Sequence, residues 1–392
     1  MNRPKQSSNC NTPFIPKNKK GMIEMIARND LLAMQNADKY DTFGSSRFPT
    51  LMAKAVAQGL EPADSINSEG MSCFARTSLS PTYTGHETFL RSPFCEDVHD
   101  VGNYDIAVVG IPYDSGTSNR SGTRLGPQGI RHASSQISPF NPDYGVDLYE
   151  KVKLCDVGDI YTLPANSEKT FDQITKGIGF IASRGTMPII LGGDHSTSFP
   201  SLRGLAPYID GNIGVIHIDR HSDCDAIQMD EKMHGTEWYH ATHLPNVSAK
   251  NLVQVGIGGN CCKSWSRFVR DSGLTAISME DIDKYGIDKV AETALEIAWK
   301  GCKAVYISLD IDVLEAAFCP GTGTPDFGGM LPRELLRLLK LCTAPGICGM
   351  DVVEVSPPFD VSEITSLAAS RCIINVMCNL ALNDSVYKDY TK

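Results

Sequence analysis

Six side chains able to bind a cation fall into three short clusters of the sequence. The first is Asp219-Arg220-His221-Ser222-Asp223, in which ligand types alternate with other residues. In an extended segment, residues i, i+2 and i+4 face one way, so Asp219, His221 and Asp223 are expected to converge. Asp310-Ile311-Asp312 aims two carboxylates together by the same alternation. Neighbouring buried carboxylates resist joint ionisation unless a cation lies between them. That argues against a plain acidic surface loop for the first cluster and a proton-sharing acid pair for the second. The third cluster is Gly192-Gly193-Asp194-His195-Ser196, whose glycines permit a sharp turn. His195 alone reads as a core or capping histidine and gains meaning only beside the other clusters. Together they offer two histidines and four aspartates without a thiolate, a set suited to Mn²⁺, Ni²⁺ or Co²⁺ rather than structural zinc. Cys224 adjoins the first cluster but falls on the opposite face by parity. Six ligands exceed what one tetrahedral ion takes while keeping an open position. Two ions sharing carboxylates, with a water-derived nucleophile between them, is the economical reading.

The segments preceding these clusters indicate how they are held. Short apolar runs begin at residue 104: YDIAVVGI (104–111), MPIILGG (187–193), IGVIHID (213–219), NLVQVGI (251–257), KAVYISLDI (303–311) and GICGMDVVEV (346–355). They are rich in Val and Ile with little period-2 alternation, as strands buried on both faces are. Helical patterns such as 170–185 and 288–301 lie between them. This order predicts an α/β fold: three layers, α/β/α, around a central mostly parallel sheet. Each cluster follows the end of a predicted strand, where open α/β sheets place their ligands. Glu354 ends the last run.

Residues 1–100 read as an N-terminal extension and 101–392 as the catalytic domain. Residues 1–20 are polar and rich in Pro, Asn and Lys, which predicts disorder, and 21–60 read as helical. The first 23 residues carry basic but no acidic side chains. That suits a solvated tail, with an organelle-targeting segment as the alternative. Of 392 residues, 42% are hydrophobic and 21% charged, as in a soluble enzyme. The net charge of −10 argues against a nucleic-acid partner. No run of about 18 apolar residues predicts a membrane span. The 13 cysteines, with one Cys261–Cys262 doublet and no recurring zinc-finger spacing, suggest reduced thiols in a cytoplasmic setting.

The clusters, in this order, resemble those of the ureohydrolases: arginases, agmatinases, guanidinobutyrases and guanidine hydrolases. The likeness spans roughly residues 85–385 and includes GIPYDSGTSNRSGTRLGPQGIR (110–131) and PGTGTPDFGG (320–329). It implies an arginase-like fold and hydrolysis of a small cationic guanidino substrate to urea and an amine. One ion would take His195, Asp219, Asp223 and Asp310, and the other Asp219, His221, Asp310 and Asp312. Asp223 would also hydrogen-bond the nucleophile. His234, in Met233-His234-Gly235-Thr236, matches the family's proton-shuttle histidine. Glu354 would orient the guanidinium, whose paired N–H groups suit a carboxylate. The resemblance further implies a homo-oligomer, trimer or hexamer, and raises a metal-loading accessory protein.

Several departures bear on the substrate. Arg220 stands where most arginases and agmatinases have a small residue; by parity it points away from the ions, to orient a ligand carboxylate or to form a structural ion pair. Asp-Arg-His, MHGTEWYHAT (233–242), AKNLVQVGIGG (249–259) and TGHETFLRSPFC (84–95) look more like the guanidine hydrolases. That likeness favours Ni²⁺, with Mn²⁺ the alternative, and guanidine or a short N-alkyl guanidine or biguanide as substrate. Agmatinase or guanidinobutyrase activity is the runner-up. Trp238, Tyr239, His240 and His243 are expected either to shorten the pocket or to pack as ordinary core. A one-zinc deacetylase would not need the Asp310–Asp312 pair, and an inactive regulatory subunit would have lost ligands.

Overall fold

A computed structural model describes residues 82–259 and 263–391. The readings for residues 1–81 and for Cys261–Cys262 lie outside those residues.

Among the described residues ten strands follow one another: β1 (Ile106–Gly110), β2 (Phe140–Asn141), β3 (Val146–Asp147), β4 (Leu154–Asp159), β5 (Met187–Leu191), β6 (Ile213–Ile218), β7 (Val247–Ile257), β8 (Thr275–Ser278), β9 (Ala304–Asp310) and β10 (Gly349–Val353). β2 and β3 form a small antiparallel ribbon. The other eight make one sheet in the order β4-β1-β5-β10-β9-β6-β7-β8, and every pairing in it is parallel. The six apolar runs of the sequence are β1, β5, β6, β7, β9 and β10. β4 and β8 went unread because each lies at an edge of the sheet, where a strand need not be apolar throughout.

Among the described residues the α-helices of five or more residues are α1 (Gly126–Ser135), α2 (Ser167–Ser183), α3 (Ser198–Leu205), α4 (Glu237–Ala241), α5 (Lys263–Ser272), α6 (Met279–Tyr285), α7 (Ile287–Ala298), α8 (Pro332–Thr343) and α9 (Ile364–Leu382). They pack in two sets. α2 lies on α3 and α3 on α4, while α1, α9, α8, α7 and α6 form a continuous row. The sheet between the two sets gives the three-layer α/β/α architecture. Val361–Leu382 is the one helical stretch among the described residues long and apolar enough to cross a membrane, and 72% of its apolar window is buried inside the fold. It is apolar because it is a core helix. Upstream, Phe89 and Leu90 are fully buried, and the Phe89 N–H donates to Asp156 Oδ2 of β4 at 2.8 Å.

Topology brings the chemistry together. The chain lays down β1, β4 and β5, moves on to β6, β7 and β8, and only then returns to insert β9 and β10 between β5 and β6. β5, β10, β9 and β6 are therefore neighbours although the C-terminal ends of β5 and β10, Leu191 and Val353, lie 162 positions apart in sequence. Their registers align Leu191 with Val352, Val353 with Asp310, and Leu309 with Ile218. The four C-terminal ends thus form one row.

Candidate active site

Each ligand cluster leaves its strand through the same local device. The strand stops, and an aspartate accepts the backbone N–H two residues on, an Asx turn. Asp194 Oδ1 accepts from the Ser196 N–H at 3.0 Å, Asp219 Oδ1 from His221 at 2.6 Å, and Asp310 Oδ1 from Asp312 at 2.9 Å. The expected convergence occurs, but turns produce it rather than extended alternation. β6 ends at Ile218, and Asp223 adopts a positive φ of 46°, which swings its carboxylate back toward the strand ends. Gly193 fits here because a Cβ would stand 1.8 Å from the Tyr113 carbonyl oxygen.

The turns use one oxygen of Asp219 and one of Asp310; the second oxygen of each faces one imidazole nitrogen, that of Asp219 while also paired with His217 at 2.7 Å. His195 Nδ1 lies 3.1 Å from Asp219 Oδ2, 3.0 Å from Asp223 Oδ2 and 3.1 Å from Asp310 Oδ2. His221 Nδ1 lies 3.0 Å from Asp312 Oδ2 and 3.7 Å from Asp219 Oδ1. All six sequence-predicted metal ligands are thus brought together, with Asp219 between the two histidines. Two groups have donor atoms close enough to share an ion: His195, His217, Asp219 and Asp223, and Asp219, His221 and Asp312. Cys224, set aside by parity, is in neither group and directs its thiol to the Ser222 carbonyl.

Electrostatics in the absence of cations reflect the crowding. Burial raises the Asp310 carboxyl well above its ordinary range, and Asp312 and Asp219 add to it. Burial works against protonation of His195, yet the surrounding carboxylates, Glu237 first, hold its pKa well above normal. Asp312 is the main cause that pushes His221 up to about 11.

His234 and Glu354 form a second unit. Glu354, at φ 63°, uses Oε1 to accept the His195 N–H at 2.9 Å and pairs with His234 Nδ1 at 2.8 Å. Its Oε2 is buried without a hydrogen-bond partner. On the other side of the ring, Nε2 lies 3.0 Å from the Ser118 N–H and 2.7 Å from Ser118 Oγ. Neutral His234 can accept from that N–H, and protonated His234 can donate to that hydroxyl. Its pKa rises to about 9, because Glu354 outweighs the opposing effect of burial.

Three residues escaped the sequence reading. His217 sits two residues before Asp219 on the same face of β6, and that spacing was the available signal. Its Nε2 donates to Asp219 Oδ2 at 2.7 Å while Nδ1 accepts from the Gln254 amide, so the tautomer is fixed and Asp219 is aimed. Ser118 and Glu237 reach the site only through tertiary packing.

Two alternatives that the sequence leaves open are decided by the packing. Trp238, Tyr239, His240 and His243 do not shorten the pocket. Trp238 is fully buried, its ring 5.9 Å from that of His195 and 4.8 Å from that of His217. Tyr239 packs on His240, His243 and Phe268. The cavity over the site, about 400 Å³, is lined instead by Asn119, Arg120, His221, Gly258, Thr324, Pro325 and Asp326. Arg220 does not orient a ligand carboxylate either. Buried, it donates from Nε to Asp326 Oδ2 at 3.0 Å and from Nη2 to the Phe327 carbonyl at 2.7 Å. It fits because Gly258 lacks a Cβ, which would stand 1.6 Å from Nη1. Arg220 thereby ties down the 320–329 loop, whose Thr324 hydroxyl donates to Asp312 Oδ2 at 2.9 Å.

A parallel α/β sheet with imidazole and carboxylate donors gathered on the ends of its four central strands defines a metal-dependent hydrolase. The Arginase family profile matches residues 104–378, and the chain belongs to that family, the ureohydrolases. It is 36% identical over 295 residues to the proclavaminate amidinohydrolase of Streptomyces clavuligerus, covering 75% of this chain and 92% of that one. The solved structure of that enzyme superposes with a TM-score of 0.71, over 78% of this chain and 100% of that chain. The human mitochondrial guanidino acid hydrolase is 34% identical over 279 residues, 70% of this chain and 78% of that protein. The family uses a binuclear site for divalent metal. The residues here fit such a pair: His195 Nδ1 and Asp312 Oδ1 are buried with no hydrogen-bond partner, and buried polar atoms are left unpaired at a cost that a cation removes.

Proposed function

We propose that this protein hydrolyses a guanidino C–N bond, releasing urea, or the corresponding substituted product, and ammonia or an amine. The observation that carries this reading is the crowding of Asp219, Asp223 and Asp310 around His195 Nδ1 beside the Asp312–His221 pair. His195, Asp219, Asp223 and Asp310 would hold one ion, and Asp219, His221, Asp310 and Asp312 the other. Two bound divalent ions would lower the pKa of a water and balance the carboxylates. A donor set without thiolate suits Ni²⁺, which we favour, or Mn²⁺.

The remaining steps belong to the side chains. Asp223 accepts a hydrogen bond from the attacking water. Glu354 offers its unpartnered Oε2 to a guanidinium N–H. His234, with a partner for each protonation state at Nε2, gives a proton to the departing nitrogen, while Glu354 steadies the imidazolium.

For the substrate, the resemblance of the Asp-Arg-His and MHGTEWYHAT segments favours guanidine or a short N-substituted guanidine. A second reading, a guanidino acid, is favoured by the cavity: its volume exceeds the needs of guanidine, and Arg120 and Asn119 on its wall complement a carboxylate tail. Urea release from guanidine, methylguanidine, dimethylbiguanide, agmatine, 4-guanidinobutyrate and arginine, with Ni²⁺ and with Mn²⁺, decides between them. Highest kcat/KM on guanidine or its short derivatives supports the first reading, and highest on 4-guanidinobutyrate supports the second. Absence of turnover on all six by the two-ion protein removes the proposed reaction.

A further inference from the structure

Glu237 is a further carboxylate in the site, beside Asp219, Asp223, Asp310, Asp312 and Glu354. It opens α4, three residues after His234, and is 1% exposed. Its Oε2 accepts the Thr236 N–H at 3.1 Å. Its Oε1 is buried without a hydrogen-bond partner and lies 3.4 Å from His195 Nδ1, itself unpartnered. The Asp223 carboxylate is within hydrogen-bonding reach of Glu237.

The spacing is informative. Two ligands at right angles on an ion, each about 2.1 Å from it, stand about 3 Å apart. Asp219, Asp223, Asp310 and Glu237 place oxygens at 3.1, 3.0, 3.1 and 3.4 Å from the same nitrogen. An octahedral ion has four positions adjacent to any one ligand, and four carboxylates stand at that distance here. We propose that Glu237 is a ligand of the ion at His195 and makes that site six-coordinate. A further buried carboxylate adds negative charge that only a cation or a proton can offset, so it also raises the selectivity of this site for ions that favour six oxygen or nitrogen donors.

The inference rests on the two-ion reading above, and the test keeps the two apart. Glu237→Gln retains a side chain of the same shape whose amide can still donate to Asp223, but it lacks the anionic donor. Wild type and variant are stripped of metal and titrated with Co²⁺ while bound ion per chain, d–d absorption and melting temperature are followed. Wild type is expected to bind two ions, one in a weakly absorbing six-coordinate centre. The variant is expected to melt no lower than wild type when metal-free and to bind one of its two ions at least about 10-fold more weakly. Its remaining occupied centre at His195 should absorb more strongly, as five-coordinate Co²⁺ does. Equal affinity and an unchanged spectrum in Glu237→Gln would overturn the ligand role and leave Glu237 as a hydrogen-bonding neighbour of Asp223. Fewer than two ions on wild type would defeat the two-ion reading itself. Wild type alone gives a check independent of the variant's folding: five-coordinate centres at both sites would also overturn the proposal.

Discussion

Asp310→Asn should move the stability of the metal-free and metal-loaded protein in opposite directions. Asp310 Oδ1 accepts the Asp312 N–H, and the amide oxygen of Asn can do the same, so the turn after β9 survives. What changes is the charge on an oxygen 3.1 Å from His195 Nδ1. In the metal-free protein burial, then Asp312 and Asp219, hold the Asp310 carboxyl well above its ordinary pKa. An acid whose folded-state pKa is raised costs stability as pH climbs above its unfolded value near 3.9. Asn removes that cost, which for a buried and poorly compensated polar group is on the order of 1–3 kcal/mol. With roughly 2–4 °C per kcal/mol in domains somewhat smaller than this one, the metal-free variant should melt a few degrees higher at pH 8. Metal reverses the sign. At a free ion concentration 100 times Kd, a site adds about 2.7 kcal/mol to wild type, and a variant lacking a shared ligand forgoes most of it. Thermal melts with chelator and with Mn²⁺ or Ni²⁺, beside urea release, test this. A fall in melting temperature in both states would make Asp310 a structural residue, and retained turnover would refute its place in the ion pair.

Other predictions follow from the same geometry. His234→Ala should keep both ions and lower kcat by about 10²-fold or more; an unchanged kcat would remove its proton-transfer role. In the metal-free protein His234 should titrate by NMR at about 9, and in Glu354→Gln nearer 6.5. Its stabilising contribution is therefore full below about pH 6.5 and lost as pH rises through about 9. Because His195 and His221 are held protonated by their carboxylates, metal binding near pH 7.5 should release protons and tighten with rising pH. Calorimetric enthalpies independent of the buffer's ionisation enthalpy would contradict that. Arg220→Ala should loosen the 320–329 loop and raise KM more than it lowers kcat, while unchanged KM and metal affinity would show that the Arg220–Asp326 link does not shape the cavity.

The sequence reveals the site's donors more readily than their arrangement. Histidine and aspartate at the ends of apolar strands stand out because burying them without a cation is costly, so the six ligands are visible at the level of residue type, whereas His234 and the role of Glu354 come from the resemblance to the ureohydrolases. The strands beneath them, β5, β6, β9 and β10, are visible because apolar neighbours cover both faces. The edge strands β4 and β8 are not, since β4 ends in the exposed Asp159 and three of the four residues of β8 are only half-buried. Alternation suggests convergence, yet Asx turns and the positive φ of Asp223 produce it, and neither shows in a ligand spacing. Glu237 and Trp238 lie in a segment that sequence links to the pocket wall, whereas packing sets Trp238 behind His195 and His217. Their place depends on how α4 docks, a tertiary fact without a local signature.

The most direct test of the account is urea release measured against metal equivalents added to the stripped protein. Release from a guanidino substrate should grow until two divalent ions are bound per chain and then level off. Levelling at one ion, or no urea from any guanidino compound with two ions bound, would contradict it.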